Sequence, residues 1–131
     1  MNHGVRKLII YIIIFILSFS LKAQPIKGIS AQIQILDKIT SRVNTLDINI
    51  DESKNYESLI IEVYACYKNP PEDIPEDYVL LKIYDNINLN NINKNNAIYK
   101  GWMISSSPAS TPLEHPIYDL WLKSCNMEKD F

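Results

Sequence analysis

With only two cysteines, two histidines and three glycines among 131 residues, the chain lacks the raw material for several kinds of chemistry. There is no C-x-x-C pair, so a thioredoxin-type redox motif is missing. No H-E-x-x-H and no Cys/His cluster with zinc-ligand spacing occurs either. None of the serines sits in a G-x-S-x-G turn, so no hydroxyl has the strained presentation of that hydrolase motif. The acidic stretch Glu72, Asp73, Glu76 and Asp77 lacks both EF-hand spacing and the loop glycine, and reads as a solvated loop rather than a calcium site. Long amphipathic helices and internal repeats are missing too. The expectation is a chain with no metal and no cofactor.

The continuous apolar run from Leu8 to Leu17 follows Arg6 and Lys7 and continues, with Ser18 and Ser20 interspersed, to Leu21. That order, basic then apolar, is that of a secretory signal. The run is shorter than the about 20 residues a membrane-spanning helix needs. Residues 1–23 are therefore expected to be a cleavable signal peptide with a helical core. Ala23 supplies the small residue before the cut, although Leu21 is larger than usual for its position. An uncleaved anchor is the alternative, and the membrane would be touched only through this segment. No cysteine lies near the junction to take a lipid.

Removal of residues 1–23 leaves residues 24–131 as a single domain, enough for a modest core. Arg6, Lys7 and Lys22 would be lost and all 15 acidic residues kept, for a formal charge of −5. Nucleic acid is disfavoured as a partner, since that affinity comes largely from Lys and Arg on phosphates. The expected address is periplasmic or secreted. In such an oxidising compartment Cys66 and Cys125 read as one disulfide. By the chain-entropy account it would contribute about 4 kcal/mol.

Within the domain, alternation marks strands from Ser30 to Lys38 and over Leu46–Ile50, with a turn at Thr40–Arg42 and a polar close at Asp51–Tyr56. Ser58–Lys68, SLIIEVYACYK, is the strongest strand. Strict alternation there puts Leu59, Ile61, Val63, Ala65 and Tyr67 on one face and Cys66 on the other, beside Glu62 and Tyr64. Three prolines in NPPEDIPED (Asn69–Asp77) forbid a central ladder, so that stretch is a loop. Tyr78–Asp85 is the next strand, with Lys82 and Tyr84 facing away from Val79, Leu81 and Ile83. Asn86–Asn96 reads as a polar loop, Ala97–Ser106 as a strand, and Ser107–Pro116 as a proline-bearing loop. Ile117–Cys125 suits a strand or a short helix, since Leu113, Ile117, Leu120 and Trp121 fall near helical spacing within Pro112–Leu122. The fold class expected is mainly β: a small antiparallel sandwich or barrel-like domain, with one short helix near the C-terminus as an option.

Four strings add to this reading: LDKITSRV (Leu36–Val43), IEVYACYKNPPE (Ile61–Glu72), GWMISSSP (Gly101–Pro108) and LEHPIYDLWLKSC (Leu113–Cys125). Together they resemble a bacterial exported family known as domain of unknown function 2155, from about residue 30 to Cys125. Ser41 departs from the glycine expected in that family's turn, and the Asn-rich loop replaces a differently composed connector. The resemblance implies an envelope or periplasmic setting and the paired cysteines. It implies no activity.

Two kinds of surface are worth weighing. Trp102 and Trp121, with Tyr64, Tyr67, Tyr84, Tyr99 and Tyr118, could form an aromatic face for an envelope protein or polysaccharide. The candidate binding surface is Trp102, Trp121, Tyr64, Tyr118, Arg42 and His115. Arg42 could offer its planar fork to a carboxylate or phosphate, or pair with a carboxylate of the 72–77 loop. Against this stands a hydrolase or metal site built on Glu114, His115 and Asp119 with Ser105, Ser106 or Ser107, residue types that fit a base, its orienting carboxylate and a nucleophile. The bland alternative is that these side chains brace the loop before Pro116. A non-enzymatic binding or structural module is the expectation, and a small envelope hydrolase or metal-dependent enzyme the alternative.

Overall fold

The computed structural model describes residues 2–18, 23–86 and 97–128. One helix, α1 (His3–Leu17), precedes eight strands. These are β1 (Ile26–Lys27), β2 (Ser30–Asp37), β3 (Arg42–Asn49), β4 (Glu52–Tyr56), β5 (Leu59–Lys68), β6 (Asp77–Asp85), β7 (Tyr99–Ile104) and β8 (Tyr118–Asn126). No residue of α1 is buried, and among the described residues no helix is long and apolar enough to cross a membrane. Most of the Asn-rich segment, residues 87–96, lies outside the described residues.

All the strands pair antiparallel in two sheets. The larger runs β1-β5-β6-β7, with β4 on the first half of the β5 edge that β1 shares at its far end; the smaller runs β3-β2-β8. The period-2 pattern explains which face each strand buries. In β2, Ala31, Ile33 and Ile35 are buried while Gln32 and Gln34 stay partly exposed. In β6, Val79, Leu81 and Ile83 do the same against Leu80, Lys82 and Tyr84. The inward faces share one core that includes Ile33, Ile48, Ile61, Leu81, Met103 and Leu122. Truncating one of these large aliphatic side chains to Ala would cost roughly 2–5 kcal/mol. The arrangement is sandwich-like, and the sheets do not close into a barrel.

A bulge corrects the alternation expected for β5. Val63 lies opposite Leu81 but Ala65 lies opposite Leu80, so Tyr64 is an extra residue. Such an insertion changes which parity faces inward. Before it Leu59, Ile61 and Val63 are buried; after it Cys66 is fully buried and Ala65 and Tyr67 turn outward. Cys66 therefore lies on the core face rather than beside Glu62 and Tyr64, where its disulfide to Cys125 on β8 staples one sheet to the other.

Gly28 sits where the chain crosses from β1 to β2. Its N–H donates to Cys66 O at 2.7 Å, and a Cβ there would meet Asn126 O at 3.0 Å and Cys125 Cβ at 3.3 Å. The close approach to the bridge needs a residue without a side chain.

Two further expectations change. Asp51–Tyr56, expected only as a polar close, contains β4: its exposed side chains hide the strand from a hydrophobic pattern, and the backbone ladder to β5 makes it. The short helix near the C-terminus is a strand instead, because residues 118–126 pair with β2 along its whole length. Among the described residues, the helical turn in that region is a 3-10 turn at Pro108–Ser110. Three tight turns carry positive φ at Ser41 (56°), Asp51 (62°) and Glu57 (49°), between β2, β3, β4 and β5.

Candidate binding surface

The outward side of the larger sheet is where aromatic side chains gather. Cross-strand register aligns Lys27 on β1, Tyr67 on β5, Tyr78 on β6 and Ile104 on β7 in one row. The next row brings Ala65, Leu80 and Trp102 together. Trp102 is 44 % exposed, and its ring leans back over the sheet until its centroid is 6.0 Å from that of Tyr67. Tyr67, Tyr78, Trp102 and the ring of Pro25 line an open groove of about 260 Å³ with no polar surface in its lining. That is below the roughly 300–1,000 Å³ of small-molecule sites, and better suited to an apolar side chain.

Farther along the same face, Glu62 accepts hydrogen bonds from Tyr64 Oη at 2.6 Å and Tyr84 Oη at 3.3 Å. Lys82 Nζ lies 5.0 Å from the centre of the Tyr64 ring, a cation–π contact. The hydrogen bond to Glu62, then burial, pushes the Tyr64 phenol above its ordinary value. Burial first, then the Glu62 charge, does the same for Tyr84. Tyr64 is therefore held on the surface by an ordered polar cluster.

Other expected members of the surface go elsewhere. Trp121 is on the smaller sheet, its indole N–H donating to Gln34 Oε1 at 3.0 Å. Tyr118 is 8 % exposed, edge-on to Tyr56 and stacked on His115, because Tyr118 shares the inward parity of Leu120 and Leu122. Burial pushes its phenol up. Arg42 opens β3, exposed and opposite Asp37, and forms no ion pair with the 72–77 loop among the described residues.

The hydrolase residue set is not assembled. His115 is 6 % exposed. Its Nδ1 accepts from the N–H groups of Ile117 and Tyr118 at 3.2 and 3.1 Å, and its Nε2 lies 3.2 Å from Asp85 Oδ2. Both ring nitrogens are thus engaged in bracing the 115–118 turn. Asp119 pairs with Lys38 at 2.8 Å, and Lys38 Nζ also donates to His115 O at 2.9 Å. Glu114 is exposed. Ser105 Oγ donates to Glu76 Oε1 at 2.8 Å, as does the Ser106 N–H at 3.0 Å, and Ser106 Oγ donates to Glu76 Oε2. Partial burial pushes the Glu76 carboxyl up, but the bonds from Ser106 and Ser105 outweigh it and hold it below the ordinary value. Serines and histidine belong to separate structural clusters. Among the described residues no group of three or more His, Cys, Asp or Glu could hold a metal.

Comparison with known sequences agrees with the strings that led to this reading. The profile of a family described as uncharacterised proteins conserved in bacteria, domain of unknown function 2155, matches residues 31–125. The chain belongs to that family. Within the domain of unknown function 2155, the chain is similar to an uncharacterised protein of Rickettsia prowazekii (strain Madrid E), 29 % identical over 97 residues. The matched part is 73 % of this chain and 60 % of that protein, so the chain spans less than two thirds of that relative's length. No solved structure matches significantly.

The match to domain of unknown function 2155 runs from Ala31 in β2 to Cys125 in β8, so it contains both cysteines, Tyr67, Tyr78 and Trp102. Pro25 lies before it. Pro25 and Tyr78 were not among the residues expected on the surface, and Tyr67, though named for an aromatic face, was placed by strict alternation on the same side of its strand as Leu59, Ile61 and Val63. Tyr78 was legible: it shares parity with Lys82 and Tyr84, which alternation already turned outward. Tyr67 was not, because the bulge at Tyr64 is set by pairing with β6.

Proposed function

We propose that the protein is exported by its N-terminal segment and works outside the cytosol, in the periplasm or cell envelope, as a binding module. The groove between Trp102, Tyr67, Tyr78 and Pro25 is the observation that carries the reading. Rings left partly exposed on a sheet face, in a domain whose core is already filled with aliphatic side chains, are a surface for another macromolecule rather than packing material. The disulfide between the sheets supports an oxidising compartment. The order of Arg6, Lys7 and the apolar α1 supports export. The occupant of the groove is an apolar side chain from an envelope protein. A polysaccharide is the less favoured partner, since sugar hydroxyls would find no polar atoms in the lining.

The enzyme reading built on Glu114, His115 and Asp119 loses its support, since His115 and Asp119 are engaged by different partners and Glu114 is exposed. The test places a photoreactive amino acid at residue 102 and, as a control on the smaller sheet, at residue 45, in intact cells. Specific crosslinks from residue 102 that vanish when Tyr67 is changed to Ala would sustain the proposal. Equal labelling from both sites would end it. Fractionation of the same cells, with the mass of the chain, reports export and cleavage near Ala23.

A further inference from the structure

We propose that the groove between Pro25, Tyr67, Tyr78 and Trp102 receives Ile74 of a second copy of this chain, so that two copies join by exchanging the loops between β5 and β6. The inference rests on the groove being a binding site and names its occupant.

The segment 69–76 presents one apolar side chain to solvent. Ile74 is 83 % exposed, more than any other large apolar residue among those described. Its backbone is held in place: Asn69 Nδ2 donates to Ile74 O at 2.9 Å, Asn69 N–H to Glu76 O at 2.9 Å and Asp73 N–H to Pro70 O at 3.0 Å. Pro70, Pro71 and Pro75 fix φ along the same stretch. So held, Ile74 stands clear of the groove of its own copy, and an anchor already ordered loses little freedom when it binds. Glu72 and Asp73 lie beside it, both exposed and neither ion-paired among the described residues. A knob of this kind fits an apolar recess with a basic rim.

The groove has both properties. Its lining offers no polar surface. Lys27, opposite Tyr67, stands on one side, and Lys100, two residues from Trp102 on β7, on the other. Both lysines are exposed, and neither has an ion-pair partner among the described residues. Lys100 also lies directly opposite Lys82. Like charges so placed are unfavourable, and an incoming carboxylate relieves them. In a chain with more acidic than basic residues, the unpaired cations thus border the one recess that an acidic, apolar-tipped loop would fill, and the chain itself carries that loop.

Loop and groove lie at the same end of the larger sheet. Tyr67 pairs with Tyr78 one rung before the Lys68–Asp77 pair from which the loop leaves. A two-fold pairing therefore seats both loops within a single contact, and the assembly closes as an isologous dimer. Two seats made together hold more tightly than either alone.

The test is sedimentation of the full chain, purified as the cells deliver it, at about 100 µM and low salt, where a contact of micromolar strength is occupied and its charges are least screened. A dimer is expected. Ile74→Ala, at an exposed site, should weaken it about tenfold or more. Reversing the rim with Lys27→Glu and Lys100→Glu, or the loop with Glu72→Lys and Asp73→Lys, should each do the same. An equimolar mixture of these two charge-reversed chains should pair again, because each groove then meets a loop of opposite sign; that rescue also shows both to be folded. A wild type that is monomeric or larger than a dimer, a dimer indifferent to Ile74→Ala, or a mixture that stays monomeric would each overturn the proposal. Crosslinks from residue 102 to a different protein, with the chain itself monomeric, would overturn the assignment to Ile74 and leave the binding role of the groove standing.

Discussion

The outward faces of the two sheets differ in kind although both are made by the same alternation. On the larger sheet Tyr67, Tyr78, Leu80, Trp102 and Ile104 form an apolar patch that meets no covering element among the described residues, beside a charged row of Glu62, Lys82 and Lys100. On the smaller sheet the outward residues are Gln32, Gln34, Thr45, Asp47, Asp119 and Ser124, with Leu36 and the exposed Val43 as aliphatic exceptions, and the single tryptophan there is tied down by Gln34. A polar outward face is what a sheet bordered by water ordinarily shows. The aromatic one contributes little to the core, and it is the face that the proposed binding role assigns to a partner. The two tryptophans thus differ in setting: Trp121 is half-buried and bonded to Gln34, whereas Trp102 stands exposed beside Tyr67.

That contrast can be broken or sharpened by substitution. The largest effect is expected at the link between the faces. Cys66→Ser should lower stability by about 4 kcal/mol under oxidising conditions, read by urea denaturation of both forms. Superimposable curves would show that the sheets do not need their staple. Next comes Asp77→Ala, which leaves the buried Cys125 N–H without its acceptor and should cost roughly 1–3 kcal/mol. Asp77→Asn, able to accept the same bond, should cost less.

The tryptophans test the comparison directly. Trp121→Ala removes a half-buried ring and its hydrogen bond and is expected to cost about 1–2 kcal/mol. Trp102→Ala, at an open site, should cost under ~1 kcal/mol while abolishing crosslinking from the groove's neighbours. The reverse order would mean that the aromatic face is structural after all. Ser41→Gly relieves a left-handed backbone that L residues adopt at a cost of ~1–2 kcal/mol but loosens the unfolded chain, so a change between zero and about 1 kcal/mol of stabilisation is expected.

The smallest effect is on pH. Because the folded Glu76 carboxyl titrates below its ordinary 4.5, its contribution is fully present above that value and fades as the pH falls through the lowered folded one. Melting curves between neutral pH and the acid side of 4.5 should show a loss that Glu76→Gln makes shallower; identical slopes would place the acid sensitivity elsewhere. Asp37, held low chiefly by the Thr40 N–H, acts in the same direction.

How much of this was readable beforehand follows from the range of the forces. β2 and β6 were plain from alternation, and Asn69–Asp77 was plain as a loop from its prolines, except that Asp77, expected in a solvated acidic stretch, opens β6 and is buried where its carboxylate accepts from the Cys125 N–H. Ser41, the departure from a family glycine, marked a turn whose φ is indeed positive. β4 was hidden because its exposed polar side chains leave no periodic trace, and β8 was ambiguous because Leu120 and Trp121 fit two periods. The Glu114–His115–Asp119 string suggested chemistry only because proximity in sequence was allowed to stand for proximity in space.

By itself, the order of residues determined the basic-then-apolar order of residues 6–17, the mainly β class, the pairing of the only two cysteines and the membership in domain of unknown function 2155. These rest on local periodicity, on a count of two thiols and on the resemblance of whole strings to a family, none of which needs knowledge of spatial neighbours. Tertiary structure alone decided that Tyr67 turns outward and Cys66 inward, that Tyr118 and His115 leave the surface, and that Trp102 and Trp121 face opposite ways. The reason is that a bulge, a strand register and the choice of sheet arise from hydrogen bonds between distant segments, and each one-residue change of register exchanges the two faces of a strand.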